Sequence, residues 1–331
     1  MKREKYLLHL FCLILIVFCI SDCVKVEKAV NLTQGNFGVI YTHANKEDSE
    51  LVILDRSGKR VDAHQFHEMG MFQIEKGKEK RLVLPVRFGD KMFYIHRDGQ
   101  VLWNKTHAYP LDVKEDKQIR ITTFNSAYDW GTLQIELPGK TYRLKQLGFL
   151  RTTTYDDKYI YAFVDFPEAK KAKLIVVRRD NGKKQEEIPM PILHANDMKM
   201  IHGHLLISSN DNHFLLDIHT KNWKLNKINL PFAQTQYILP AQEYIYVTYR
   251  GKKKVTKLNP KTFQVVTTNE VRYPIYKAEM DQKNLYILSQ LEHPSYAGVV
   301  SIYDLKTWIL KKQFFLPQVR EMQVQDFTVF S

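Results

Sequence analysis

An apolar, β-branched and aromatic strand opens again and again along this chain at a nearly constant interval. Its starts are Phe37, Arg81, Ile119, Tyr159, His204, Tyr244 and Leu285, roughly 40 residues apart, the period of one four-stranded propeller blade. A second register gives the same spacing, with strands beginning near Leu51, Met92, Thr132, Lys173, His213, Val255 and Val299. Each second-register strand runs into turn chemistry at 55–58, 97–99, 137–139, 179–182, 219–222, 259–262 and 304–307. Gly and Asn there tolerate positive φ, and Pro presets φ, so these positions suit tight hairpins. The intervening segments are rich in Val, Ile, Tyr, Phe and Thr, the residues of a packed pleated surface. No stretch after residue 30 carries a capped helical period.

The expected fold is therefore all-β: a seven-bladed β-propeller of four-stranded antiparallel blades. The blades are placed at 37–67, 68–108, 109–147, 148–191, 192–231, 232–273 and 274–317. The first lacks an opening inner strand, and residues 320–325 supply it. A ring must join its ends, and closure removes long exposed sheet edges. Residues 327–330 are left over by this scheme. Either they pair at the rim or the partition differs.

The clearest copy, Tyr246-Val247-Thr248, then 255–258, 262–266 and Tyr286-Ile287-Leu288, resembles the YVTN-type bacterial propeller repeat. The resemblance is sequential in the last three copies and structural in the first four. It implies a bacterial seven-bladed propeller.

The chain starts with a targeting pattern. Lys2, Arg3 and Lys5 precede an apolar run from residue 7 to 20, short for a membrane span. Residues 1–22 are assigned to the signal, 23–36 to a tether and 37–331 to the propeller. Cys23 closes the signal as the lipidated Cys of a bacterial lipoprotein does, although Asp22 stands where that pattern has a small residue. A cleaved secreted form and an uncleaved anchor are the alternatives. All three cysteines (Cys12, Cys19 and Cys23) lie in this segment, so the body contains no disulfide. A body this large does not need one.

Ligands of such propellers bind at one face, built from the loops between second and third strands and the links between blades. Two of these loops are basic: Arg250, Lys252, Lys253 and Lys254 in one, Lys170 and Lys171 in the other. The chain carries a formal net charge of +13, nearly all of it in the body. This suits an anionic partner, or simply a solvated surface. Tyr128, Trp130 and Tyr296 are the aromatic candidates of the same loops. Trp103, Trp223 and Trp308 follow the turns and are read as packing residues. His202 and His204 share an i, i+2 spacing, but Gly203 between them marks a turn, so no metal site is assigned. No nucleotide or hydrolase motif occurs, and no cofactor is expected.

The sequence thus points to a monomeric propeller on the extracytoplasmic face of the cell membrane, held by a lipid anchor. It would bind a protein or an anionic envelope polymer, not nucleic acid. The alternative is a propeller enzyme, a metal-dependent lactonase or quinone-dependent dehydrogenase, for which Asp129, Asp165, Asp211 and Asp281 are the carboxylates near loops. A third reading is a factor that assembles outer-membrane barrels.

Overall fold

The computed structural model describes residues 25–127 and 129–330. They form seven antiparallel sheets; five run from the channel outward in chain order, while the first takes its inner strand from the C-terminus and the second gains an outer strand from the N-terminal segment. The sixth blade shows how composition makes the element. Its second strand, Ile245–Tyr249, is buried at every position. Both its faces pack on neighbouring blades, which is why it reads as an unbroken run of β-formers. Its outer strand, Val265–Glu270, is half exposed and polar.

Seven apolar clusters hold the ring, one per blade–blade interface. Phe163, Leu174 and Val176 of the fourth blade meet Leu205, Ile207 and Leu216 of the fifth. Tyr41 and Val52 of the first meet Leu288, Val300 and Leu316 of the seventh. The seam between the second and third blades is the exception. Its cluster is only Val83, Met92, Tyr94 and Val113. Charged groups fill the remainder: Arg81 donates to Glu115 at 2.5 Å, Arg120 pairs with Glu136, and the Tyr94 ring lies under both Arg81 and Arg120.

The aromatic residue after the hairpin turn reaches back to the preceding blade. Trp223 packs on Tyr161, Phe263 on His204 and Trp308 on Tyr246. All three adopt positive φ, which aims the ring backwards. Trp223 and Trp308 are packing residues, as their position after the turns implies.

The C-terminal strand closes the first blade by pairing with Phe37–Thr42. It is Gln323–Val329, not 320–325. Residues 319–322 form a tight turn in which Arg320 and Glu321 take positive φ. A bulge leaves Gln325 unpaired between Asp326 and Val324, so residues 327–329 continue the same strand and need no slot of their own.

Residues 25–36, expected as a tether, lie against the first two blades. Lys25–Glu27 adds a fifth strand to the outer edge of the second blade. The Val30 amide then donates to the Gly99 carbonyl at 2.9 Å and the Asn31 amide to Asp62 at 2.6 Å. Residues 1–24, with the targeting pattern and Cys23, lie outside the described residues. Among those described, no helix is long and apolar enough to cross a membrane.

Candidate binding face

Every loop between a second and a third strand opens on one face, because each second strand runs from the opposite face toward it. The basic loop 250–254 is pinned there by its own backbone. Arg250 donates to Gln234, Gly251 to Ile275, Ile275 back to Lys252 and Val271 to Lys253. Its cations are thus presented from a fixed base. Lys254 turns away from this set and pairs with Glu270 at 2.9 Å. Lys253 also acts on Glu270, helping to lower its pKa after Lys254. Lys170 and Lys171 are exposed on the fourth blade, with the fifth blade between them and the 250–254 loop. The two basic loops share a face and do not form one cluster.

The aromatic candidates fall into separate patches. Trp130 is 44% exposed and sits opposite Leu147 across a strand pair; Leu147 and Phe149 are exposed too. Tyr296 stacks on His293 at 5.0 Å and tilts against Phe315 at 4.9 Å. Tyr128 lies outside the described residues.

The inner strands build the channel by a repeated irregularity. In five blades a β-bulge interrupts pairing with the second strand, near Leu111, Arg151, Asn196, Gln236 and Gln325. A bulge re-aims side chains out of the sheet's alternation. Here Arg151, Asn196, Gln236 and Gln325 line a channel of about 650 Å³. Residues that follow the bulge bind the next blade. Asp197 accepts from the Ile238 amide at 3.0 Å, and Asp326 from the Ile74 amide at 2.9 Å. Gln73 exchanges two hydrogen bonds with Val113, and Gln236 donates to the Tyr276 carbonyl.

Charge in the channel is layered. Deep in it each lysine has a carboxylate: Lys76 with Glu279, Lys114 with Glu75, Lys199 with Asp197 and Lys277 with Asp326. Burial raises the pKa of Glu75, with Lys114 opposing. At the mouth the balance changes. Arg151 has its Nε held by Asp165 at 2.6 Å. Arg87 donates its Nε to the Leu111 carbonyl at 2.9 Å and lies over Phe72. Neither Arg87 nor Arg250 has a carboxylate within ion-pair distance among the described residues.

Other candidates are occupied locally. His202 and Gly203 form a positive-φ turn, and His204 binds Asp217 at 2.8 Å. Asp165 holds Arg151 and the His194 amide. Asp211 pairs with His194. Asp281 lies at the opposite face, bound to Tyr286 and Asn284. Among the described residues no group of three or more His, Cys, Asp or Glu could hold a metal.

Sequence reasoning did not single out Arg87, Arg151 or Tyr276. A signal existed: Asn196, Gln236 and Tyr276 are polar at the same phase of successive repeats, where a buried strand would be apolar.

Comparison with known proteins supports the architecture. No protein-family model and no curated protein matches the chain. Solved structures do match. The dihydro-heme d1 dehydrogenase NirN, in complex with DHE, aligns at TM-score 0.60 and 10% identity, covering 89% of this chain and 75% of its own. Apo AztD from Citrobacter koseri aligns at 0.57 and 10%, covering 88% and 97%. BamB from Moraxella catarrhalis aligns at 0.53 and 9%, covering 89% and 92%. This chain is a seven-bladed β-propeller. At such identities the likeness is one of fold.

Proposed function

We propose that this chain is an extracytoplasmic propeller, anchored to the membrane through Cys23, that binds a protein or anionic envelope partner at its loop face. One observation carries the reading: Arg250, Lys252, Lys253, Lys170 and Lys171 stand on that face with no carboxylate within ion-pair distance among the described residues. Paired cations at a surface are largely self-compensated, whereas unpaired ones on one face leave a positive field that steers anionic partners. Trp130 and Tyr296 add exposed aromatic area of the kind that anchors interfaces.

The test replaces Lys252 and Lys253 with Glu in the full chain. Lys254 is left in place, since its bond to Glu270 is structural. Sedimentation with the host's envelope fraction should fall at least tenfold with an unchanged melting temperature. Unchanged sedimentation removes the basic loop from the proposal. Anchoring is tested separately: the mass of protein extracted from host membranes should equal residues 23–331 plus a diacylglycerol. A lipid-free mass favours the secreted form.

A further inference from the structure

The channel mouth holds a second, smaller arrangement that shares only Arg250 with the loop-face reading. Arg87 and Arg250 occupy similar places: Arg250 directly follows the strand Ile245–Tyr249, and Arg87 follows the Val86 bridge that extends Leu82–Pro85. The amide of each donates to the incoming link of its own blade, Arg87 to Gly70 at 3.1 Å and Arg250 to Gln234 at 2.8 Å. Both side chains line the same cavity. Tyr276 lines that cavity with them. Burial raises the pKa of its hydroxyl, with Asp326 adding to the rise and Lys277, Arg250 and Arg87 opposing it. That hydroxyl is fixed by a 2.6 Å bond to Gln325 Oε1. Arg151 adds its two terminal nitrogens from the fourth blade, its Nε being taken by Asp165.

Three guanidinium groups thus face one cavity from the second, fourth and sixth blades. Two of them spend only Nε on the protein, which leaves the planar fork of terminal N–H donors directed elsewhere. The lysines below are matched by built-in carboxylates and exert little net pull. The unmatched charge sits at the mouth, in a cavity whose volume is that of a small-molecule pocket. The bulged inner strands are a second, independent sign. They turn Arg151, Asn196, Gln236 and Gln325 inward in place of the apolar residues a closed core would use. Asp112 is the opposing feature: it also lines the cavity and has a buried oxygen without a hydrogen-bond partner.

We propose that the mouth of the channel binds a small organic anion, of carboxylate or phosphate type, between Arg87 and Arg250 with Arg151 completing the cradle. The site is distinct from the loop 250–254 lysines, and either can fail without the other.

Calorimetric titration of the full chain with citrate, and separately with inorganic phosphate, at physiological salt tests this. Wild type should bind at least one of them with a Kd below about 1 mM, a weak-ligand scale. Arg250→Gln and Arg87→Gln should each weaken binding about tenfold, and the double variant should abolish it. Asp112→Asn should tighten it. Lys252→Gln with Lys253→Gln should leave it unchanged. Tighter citrate than phosphate assigns a carboxylate ligand, and the reverse a phosphate. No binding of either anion overturns the proposal. So does equal binding by the Arg250→Gln variant, whose side chain has no hydrogen-bond or ion-pair partner among the described residues, or a loss in the lysine variant as large as in the arginine variants.

Discussion

Asp326 is where the ring is locked, and its removal has a calculable cost. The residue lies on the C-terminal strand, buried at 6% exposure. One carboxylate oxygen accepts from the Ile74 amide of the second blade at 2.9 Å, the other from its own Phe327 amide at 2.9 Å. Lys277 of the seventh blade lies 3.3 Å away. Burial pulls the Lys277 pKa down. Asp326 and Tyr237 hold its ammonium instead, so its pKa sits above that of a free lysine. Asp326→Ala leaves the partly buried Lys277 ammonium without its counter-charge and a buried amide without an acceptor. Breaking one side of such a pair costs about 3–5 kcal/mol. At about 2–4 °C per kcal/mol for a large domain, melting should drop by roughly 6–20 °C. Replacing Lys277 with Met in the same chain should restore at least half, since the orphan charge goes with it. Differential scanning calorimetry at pH 7 and a fixed scan rate reads both. A loss below about 1 kcal/mol, or a double variant no more stable than Asp326→Ala, would refute the reasoning.

Two further tests probe the docked N-terminal segment and the channel acids. At Gly99 (φ +87) an added Cβ would meet the Val30 carbonyl oxygen at 1.8 Å, whereas at Gly139 (φ +71) it meets nothing within 4 Å. Gly139→Ala should cost only the left-handed penalty of about 1–2 kcal/mol. Gly99→Ala should cost clearly more and expose 25–36 to limited proteolysis; equal costs and equal cleavage would show that the segment is not docked. Burial raises the pKa of Glu279 above its ordinary 4.5, with Lys76 opposing. A raised folded pKa means the folded state holds that proton more tightly. The contribution therefore favours folding below about pH 4.5 and is lost as pH climbs through the folded value. Melting of wild type relative to Glu279→Gln should fall as pH rises from about 4.5, and a flat difference would contradict the assignment.

The fold was legible because a blade is a local object. The strand starts read at Phe37, Tyr159 and His204 coincide with the observed ones, and those at Arg81, Ile119, Tyr244 and Leu285 fall one residue away. Hairpin turns announce themselves through Gly, Asn and Pro. Placement of the last strand was misjudged because the bulge at Gln325 shifts the register without leaving a mark in the local pattern. The role of 25–36 was hidden for a similar reason. Its partners, Gly99 and Asp62, are distant in sequence, and nothing in its own composition points to an edge strand. On the candidate site the reading was partial. Arg250 was visible as part of a basic run. Its juxtaposition with Arg87 and Arg151 arises only when alternate blades meet at an axis. Lys254 looked equivalent to its neighbours, yet strand alternation directs it to Glu270.

The loop-face account is tested most directly by hydrogen exchange of the full chain with and without its host's solubilised envelope fraction. The account predicts added protection concentrated in the loops of one face, at 166–171, 250–254 and 291–297, with the outer strands and the opposite turns unchanged. Protection confined to the opposite turns or the outer strands would contradict it.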